Sequence, residues 1–138
     1  MNVVITRKDL EKIDHCLNKM MSSSFAHFVL LADRSGQLIA HQGQSPDVDT
    51  LSLAALTAAN FGATAEIARL LGEEEFTLLF HKGRSENVYF SAVGEHTILV
   101  TLFDDKTSLG LIRLKIGQII DELSTIMASI FEKGGKKS

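Results

Sequence analysis

The sequence has little of what secreted, membrane-spanning or metal-dependent proteins usually carry. Its single cysteine, Cys16, excludes an internal disulfide and indicates a reducing compartment. Tryptophan is absent, and Pro46 is the one proline. No run of about 18 apolar residues occurs, and no long apolar segment precedes a cleavage site near the start. We therefore expect a soluble, cytoplasmic protein with no membrane insertion.

Charge and catalytic motifs are scarce as well. The formal net charge is −3 and 22% of residues are charged, which disfavours a nucleic-acid partner. The five histidines form no zinc motif, and neither a nucleophile elbow nor a phosphate-binding loop is present. Ser85, near His81 in a glycine-containing loop, is a weak catalytic candidate because loop serines are usually surface residues. We predict a non-enzyme with no catalytic, cofactor-binding or metal-binding residues.

The 138 residues read as one domain with the element order α-β-β-α-β-β-β-α. A first helix begins after Thr6, whose spacing to Asp9 is that of a capping box, and ends near Ser22–Ser24. The last helix follows a cap at Thr107 or Ser108. Between them we predict these strands and the central helix, in order: FAHFVLLA, QLIAHQG, the helix in LSLAALTAANFGATAEIARLLG, FTLLFH, NVYFSAV and TILVTLF.

These elements predict an α+β fold with a five-stranded antiparallel sheet. TILVTLF carries apolar residues on both sides, so helices must cover both faces of the sheet. The two amphipathic terminal helices suit one face and the central helix the other. We place the domain at residues 1–132, followed by a short, basic, flexible tail at 133–138.

The central helix has an unusual outer side. On a wheel of about 100° per residue, Leu56, Thr57 and Ile67 share the side that we expect to face the sheet, together with Leu71. The opposite side is rich in alanine around Gly62 and lacks the usual Lys, Glu and Gln of a solvated face. Burial on all sides within one domain is the alternative, but few elements remain to cover it. We predict that this side contacts another chain.

Several segments together resemble the Roadblock family, related to the dynein light chains of the Roadblock type. The resemblance runs over residues 5–132 and rests on DRSGQLIAHQGQ, VDTLSLAALTAAN, LLGEEEF, FHKG and FDDKTSLGLIRLKI. It implies the Roadblock fold and a homodimer in which the central helices pack across a two-fold axis. It also implies that FTLLFH pairs with its mate. The residues expected at the dimer interface are Ala54, Phe61, Ala68, Phe76, Leu78 and Phe80.

The resemblance also implies a partner, a Ras-like small GTPase of the MglA type, with one GTPase bound per dimer. Bacterial members of this kind stimulate GTP hydrolysis and act in cell polarity and gliding motility, with enrichment at a cell pole as a further hypothesis. The residues that match the GTPase contact are Ala59, Gly62, Ala63 and Glu66. Stimulation is expected through the GTPase's own switch residues. Arg69 is the candidate for an alternative arginine finger, although arginines near a helix C-terminus are usually surface residues.

Two other functions remain open at this stage. The first is a Roadblock scaffold that docks a GTPase or a motor without accelerating hydrolysis. The second is a small-ligand sensor with a cavity between the sheet and the central helix. Thr57, Asn60 and Thr64 would supply the polar groups of such a cavity.

Overall fold

The computed structural model describes residues 4–44, 47–76 and 79–136, and within them the chain forms three helices and five strands. The element order is the predicted one, α-β-β-α-β-β-β-α. The helices are α1 (Arg7–Ser24), α2 (Thr50–Leu70) and α3 (Leu109–Lys136). The strands are β1 (Phe28–Asp33), β2 (Leu38–Gly43), β3 (Leu79–Lys82), β4 (Asn87–Val93) and β5 (Thr97–Phe103).

Local signals fix the starts of the helices. The Thr6 hydroxyl accepts from the Asp9 backbone N–H, and the Asp9 carboxylate accepts from the Thr6 N–H, which completes the predicted capping box. Asp49 caps α2 by accepting from the Ser52 N–H at 3.1 Å. Ser108 accepts from the Leu111 N–H at 3.2 Å at the start of α3.

The strands form one antiparallel sheet in the order β2-β1-β5-β4-β3. β5 lies at its centre, and each of its seven residues is buried, which confirms that both faces are covered. The turn between β1 and β2 approaches α2 closely. A Cβ on Gly36, whose φ is +97°, would lie 3.1 Å from the Ala55 Cα, so this glycine permits both the turn and its contact with the helix.

Helices α1 and α3 cover one face of the sheet and pack against each other. Their inward side chains are large and almost fully buried, as Leu17, Ile119 and Leu123 show at 0%, 1% and 0% exposure. Cys16 lies in the same core, and burial followed by the nearby charge of Glu122 raises the pKa of its thiol to about 11. This face therefore carries the larger hydrophobic core.

Helix α2 covers the other face alone, as predicted, but in a different rotation. The residues buried against the sheet side are Ala54, Thr57 and Ala68. Leu56 and Ile67, expected to face the sheet, are 67% and 51% exposed. The prediction assumed that the largest apolar side chains would point inward. Ala54 and Ala68 lie inward instead, so the helix is turned by roughly 70° from the expected setting.

The start of β3 also differs from that expected. β3 begins at Leu79, and Phe76 lies outside it, whereas the sequence pattern placed the whole FTLLFH segment in the strand. The backbone of α3 is helical to Lys136, beyond residue 132, where we expected the domain to end. Ile130 and Phe131 are buried at 1% and 9% exposure and anchor the turn from which the helix continues. The domain limits and the flexibility of the tail stay predictions, and residues 137–138 lie outside the described range.

Candidate functional site

The outward face of α2 carries an apolar surface that the protomer leaves uncovered. We call it the outer α2 face and define it by its large exposed side chains, Leu51, Leu56, Ile67 and Leu70, with the small residues between them. Leu70 is 75% exposed and Leu71, directly after the helix, is 67% exposed. Monomeric proteins seldom expose so many large apolar residues along one element, and such surfaces mark interaction sites.

The four residues predicted to contact a GTPase lie on this face. Ala59, Gly62, Ala63 and Glu66 are all exposed. Apart from its chain neighbours and the nearby backbone of its own helix, a Cβ built on Gly62 would meet no described atom within 4 Å. The centre of the face is therefore shallow and flat, with larger apolar side chains around it. This geometry allows another backbone to come close, and the assignment of the partner stays a prediction.

The charged residues of the outer α2 face are paired with each other. Arg69 donates from Nε and Nη2 to the Glu66 Oε2 at 3.1 and 2.7 Å. Both side chains are exposed, so the pair adds little to stability. It does orient Arg69 along the helix, toward the carboxylate one turn earlier. An arginine finger would first have to leave this carboxylate.

Some residues expected at a dimer interface lie inside the protomer. Ala54 and Ala68 are 0% exposed, so their methyl groups have no surface left for a second chain. Phe61 is half-buried, and the Arg34 guanidinium lies over its ring at 5.1 Å from the centroid. The inward rotation of α2 explains all three positions. Their place at a dimer interface stays a prediction.

The remaining interface residues lie at or near the edge strand β3. Phe76 is 37% exposed, whereas Phe80 packs against the α1–α3 core and stacks on Phe103 at 5.9 Å. Leu78 lies outside the described residues. β3 is the last strand of the sheet, so among the described residues its outer edge has no neighbouring strand. Such an edge can pair with a second copy, which is the pairing expected for FTLLFH.

The structure gives little support to a sensor cavity beneath α2. The Thr64 hydroxyl donates to the Asn60 carbonyl at 2.8 Å, within the helix itself. Thr57 is 1% exposed, and its Oγ1 has no hydrogen-bond partner among the described residues. Of these polar groups, Thr64 therefore bonds within its own helix and Thr57 is enclosed in the core.

The features that usually accompany catalysis are also sparse. Within residues 4–44, 47–76 and 79–136, no group of three or more His, Cys, Asp or Glu residues is placed to hold a metal ion. The His81 ring meets the edge of Phe90 at 5.5 Å, and Ser85 is an exposed loop residue. His27 instead pairs with Glu86 at 2.7 Å, which ties the start of β1 to the loop before β4. Sequence reasoning missed this pair because the two residues are far apart in the chain.

The fold agrees with the family comparison. The Roadblock/LC7 domain model matches residues 12–103, from α1 to the end of β5. The chain belongs to the Roadblock/LC7 family. No curated protein sequence matches it at a significant level.

Solved structures of Roadblock proteins resemble the chain over most of its length. Myxococcus xanthus MglB is 43% identical, with a TM-score of 0.81, covering 86% of this chain and 96% of that one. The gliding protein MglB from Thermus thermophilus is 30% identical, with a TM-score of 0.83 and coverage of 91% and 95%. An MglB solved in a tetrameric arrangement is 30% identical, with a TM-score of 0.86 and coverage of 94% and 97%. The chain is thus an MglB-type Roadblock protein in fold and family, a class of regulatory domain.

The apolar composition of α2 raises the question of a membrane span. Helix α2 is long and apolar enough to cross a membrane by length and composition. In the structure one side of it packs on the sheet through Ala54, Thr57 and Ala68. Core helices of other domains pass the same test, so the composition of α2 is weak evidence for a membrane span.

Proposed function

We propose that the chain is a homodimeric regulator that binds a Ras-like small GTPase of the MglA type and stimulates its GTP hydrolysis. The observation that carries the proposal is the outer α2 face, whose large apolar residues no other part of the described chain covers. The 43% identity to Myxococcus xanthus MglB supports the choice of partner. The same proposal puts the protein in the cytoplasm, with enrichment at a cell pole and a role in polarity and gliding motility.

The dimer would bury the parts of the outer α2 face that a GTPase does not use. An obligate interface of this kind covers on the order of 2,000 Å² in total. The exposed edge of β3 gives a second contact, since two copies can pair there and continue the sheet. Light scattering at low micromolar concentration should give about twice the protomer mass of 15.1 kDa. A folded, monodisperse monomer would contradict the dimer.

The GTPase would meet the flat centre of the outer α2 face at Ala59, Gly62, Ala63 and Glu66. A flat apolar surface can hold a mobile switch segment in one conformation, because contact area favours the conformation that fits it. This action needs no catalytic group from the chain. Stimulation without a catalytic group agrees with the ion pair between Arg69 and Glu66, because an arginine held by Glu66 is poorly placed to act as an arginine finger.

Single-turnover GTP hydrolysis tests the proposal. The cognate GTPase, loaded with GTP, is mixed with increasing amounts of the chain, and the rate is compared with that of the GTPase alone. The chain alone is the control and should release no phosphate above buffer. A rate that rises and saturates supports the activator. Binding in a pull-down without acceleration would favour the Roadblock scaffold, and absence of binding would contradict both.

A further inference from the structure

A cavity lies between the β4–β5 turn and the C-terminal half of α3. Its volume is about 620 Å³, within the range of ligand-binding cavities. The residues that line it are Val93, Gly94, Glu95, His96, Ser124, Thr125, Met127, Ala128, Phe131 and Glu132. We call it the α3 cavity. It takes no part in the proposed GTPase contact.

The floor of the α3 cavity is apolar and its wall is held in place. Val93, Met127 and Phe131 are 0%, 2% and 9% exposed, so they form a packed surface. The His96 ring stacks on Phe131, with centroids 4.6 Å apart and planes at 11°. Arg34 holds the β4–β5 turn in place through two hydrogen bonds. Its backbone N–H donates to the His96 carbonyl at 3.0 Å, and its Nε donates to the Glu95 carbonyl at 2.6 Å. A ligand would therefore meet a preformed surface.

The polar groups of the α3 cavity favour a cation. Of the described side chains that line it, the charged ones are Glu95 and Glu132, both exposed carboxylates. The Thr125 hydroxyl donates to the Asp121 carbonyl at 2.9 Å, so toward a ligand its two lone pairs can only accept. An apolar floor with accepting groups at the rim suits an ammonium or guanidinium group on an apolar stem.

A second, smaller cavity extends the first. It has a volume of about 190 Å³, shares His96 and Phe131 with the α3 cavity, and is otherwise lined by residues of the β1–β2 turn. These are Asp33, Arg34, Ser35 and Gln37. The two cavities lie side by side along the His96–Phe131 stack. Two adjoining cavities suit a peptide with more than one side chain better than a single small amine.

From this geometry we infer that the α3 cavity binds an arginine or lysine side chain, with a neighbouring apolar residue, from a peptide segment of a partner protein. The basic group lies between Glu95 and Glu132, and the apolar residue covers Met127 and Phe131. Because α3 and α2 lie on opposite faces of the sheet, the peptide and the GTPase can bind at the same time. The site thus provides the regulator with a second, independent partner.

The Met127 methyl group reports directly on this cavity. The chain contains four methionines, so ¹³C-methyl labelling gives a simple spectrum, and Met127→Leu assigns the Met127 signal with little change in volume. The probe is N-acetyl-Leu-Arg-Leu amide, titrated into the full-length protein. The matched control probe replaces arginine by citrulline, which keeps the shape and removes the charge. We expect the Met127 signal to shift with the arginine peptide, and affinity for the citrulline peptide to be at least about fivefold weaker.

Two variants locate the charge that matters. Glu95→Gln and Glu132→Gln should each weaken the arginine peptide about two- to fivefold, as expected for exposed ion pairs. Asp121→Asn, on the same helix but outside the lining, is the matched control and should leave the affinity unchanged. An unchanged Met127 signal in the absence of peptide shows that each variant keeps the cavity intact.

Three results would overturn the inference. The first is an arginine peptide that leaves the Met127 signal in place at millimolar concentration. The second is equal binding of the arginine and citrulline peptides. The third is hexylammonium binding as tightly as the peptide, which would make the site one for a small amine. None of these results depends on GTP hydrolysis, so the outcome is separate from that of the proposed function.

Discussion

The two faces of the sheet use apolar side chains in opposite ways. Under α1 and α3 the large residues point inward, as Ile119 and Leu123 do with 1% and 0% exposure. On the other face α2 turns Ala54 toward the sheet and leaves Leu56 and Leu70 exposed at 67% and 75%. Burial of apolar surface drives both folding and association. The α1–α3 face therefore holds the protomer together, whereas the α2 face leaves large apolar residues exposed.

The largest expected contrast between the faces concerns stability. Leu123→Ala should lower the free energy of unfolding by about 3 kcal/mol, because it removes a fully buried side chain and leaves a cavity. Leu56→Ala should change it by less than about 0.5 kcal/mol within a protomer, since this side chain is exposed. Urea unfolding at several protein concentrations measures both. Any larger loss of unfolding free energy in Leu56→Ala must come from weaker association and should therefore depend on protein concentration. A large loss at every concentration would contradict the difference between the two faces.

The second contrast concerns thiol reactivity. Cys16 is 0% exposed, and burial raises the pKa of its thiol from 9.0 to about 11, so thiolate at pH 8 should be about a hundredfold scarcer than for a free cysteine. A cysteine introduced by Ala63→Cys on the outer α2 face should react with iodoacetamide at an ordinary rate. Mass spectrometry of the labelled peptides measures both rates in one sample.

The same variant tests the partner. Adding the GTP-bound GTPase should slow the labelling of Ala63→Cys and leave Cys16 as it was. Urea should make Cys16 react, which shows that the fold protects it. Fast labelling of Cys16 in the native protein would contradict the packing of α1 against α3.

A smaller loss of stability is expected when the N-terminal cap of α1 is removed. Thr6→Ala removes the hydroxyl that accepts from the Asp9 N–H and opens the capping box. Such caps contribute about 1 kcal/mol. Urea unfolding should show a loss of this size with the dimer mass unchanged. A change in dimer mass would mean that α1 takes part in association.

The smallest change in stability is expected at Asp49, the N-terminal cap of α2, and it should depend on pH. Hydrogen bonds from the Ser52 side chain and backbone lower the pKa of Asp49. A lowered pKa means that the carboxylate adds stability at neutral pH and that this part is lost as the pH falls through the folded-state value. Asp49→Asn should therefore cost stability at pH 7, and the difference from wild type should shrink in acid. A difference that stays constant with pH would show that the charge of Asp49 contributes nothing.

The element order could be predicted from sequence because local signals carry it. The capping residues Thr6, Asp49 and Ser108, the Gly36 turn and the uniformly apolar β5 all act within a few residues of the chain. Caps, turns and apolar periodicity follow from backbone geometry and from local hydrogen bonds. The prediction that one helix covers one face of the sheet and two helices cover the other followed from β5. Its side chains are apolar on both sides, so both faces of the sheet must be buried.

The rotation of α2 could not be read from the sequence. Its two sides are both apolar, so a wheel gives no clear direction for the sheet, and choosing the bulkier side placed Leu56 and Ile67 inward. Ala54 and Ala68 are the alanines buried against the sheet, and nothing in their local sequence distinguishes them from the exposed alanines of the same helix. The α3 cavity was missed for a related reason. Glu95 and Glu132 lie far apart in the chain, and no local pattern joins them.

Two glycines allow the most direct test of the central claim, that the outer α2 face receives the GTPase. Gly62 on α2 and Gly117 on α3 are both exposed and helical, and a Cβ on either would meet no described atom within 4 Å outside the adjacent backbone of its own helix. The measurement is single-turnover GTP hydrolysis stimulated by Gly62→Arg and by Gly117→Arg, with circular dichroism and light scattering to verify fold and dimer. Gly62→Arg should abolish stimulation, because a buried unpaired charge costs about 4 kcal/mol, a thousandfold in affinity, while Gly117→Arg should stimulate like wild type. Full stimulation by Gly62→Arg, or its loss in Gly117→Arg alone, would contradict the account.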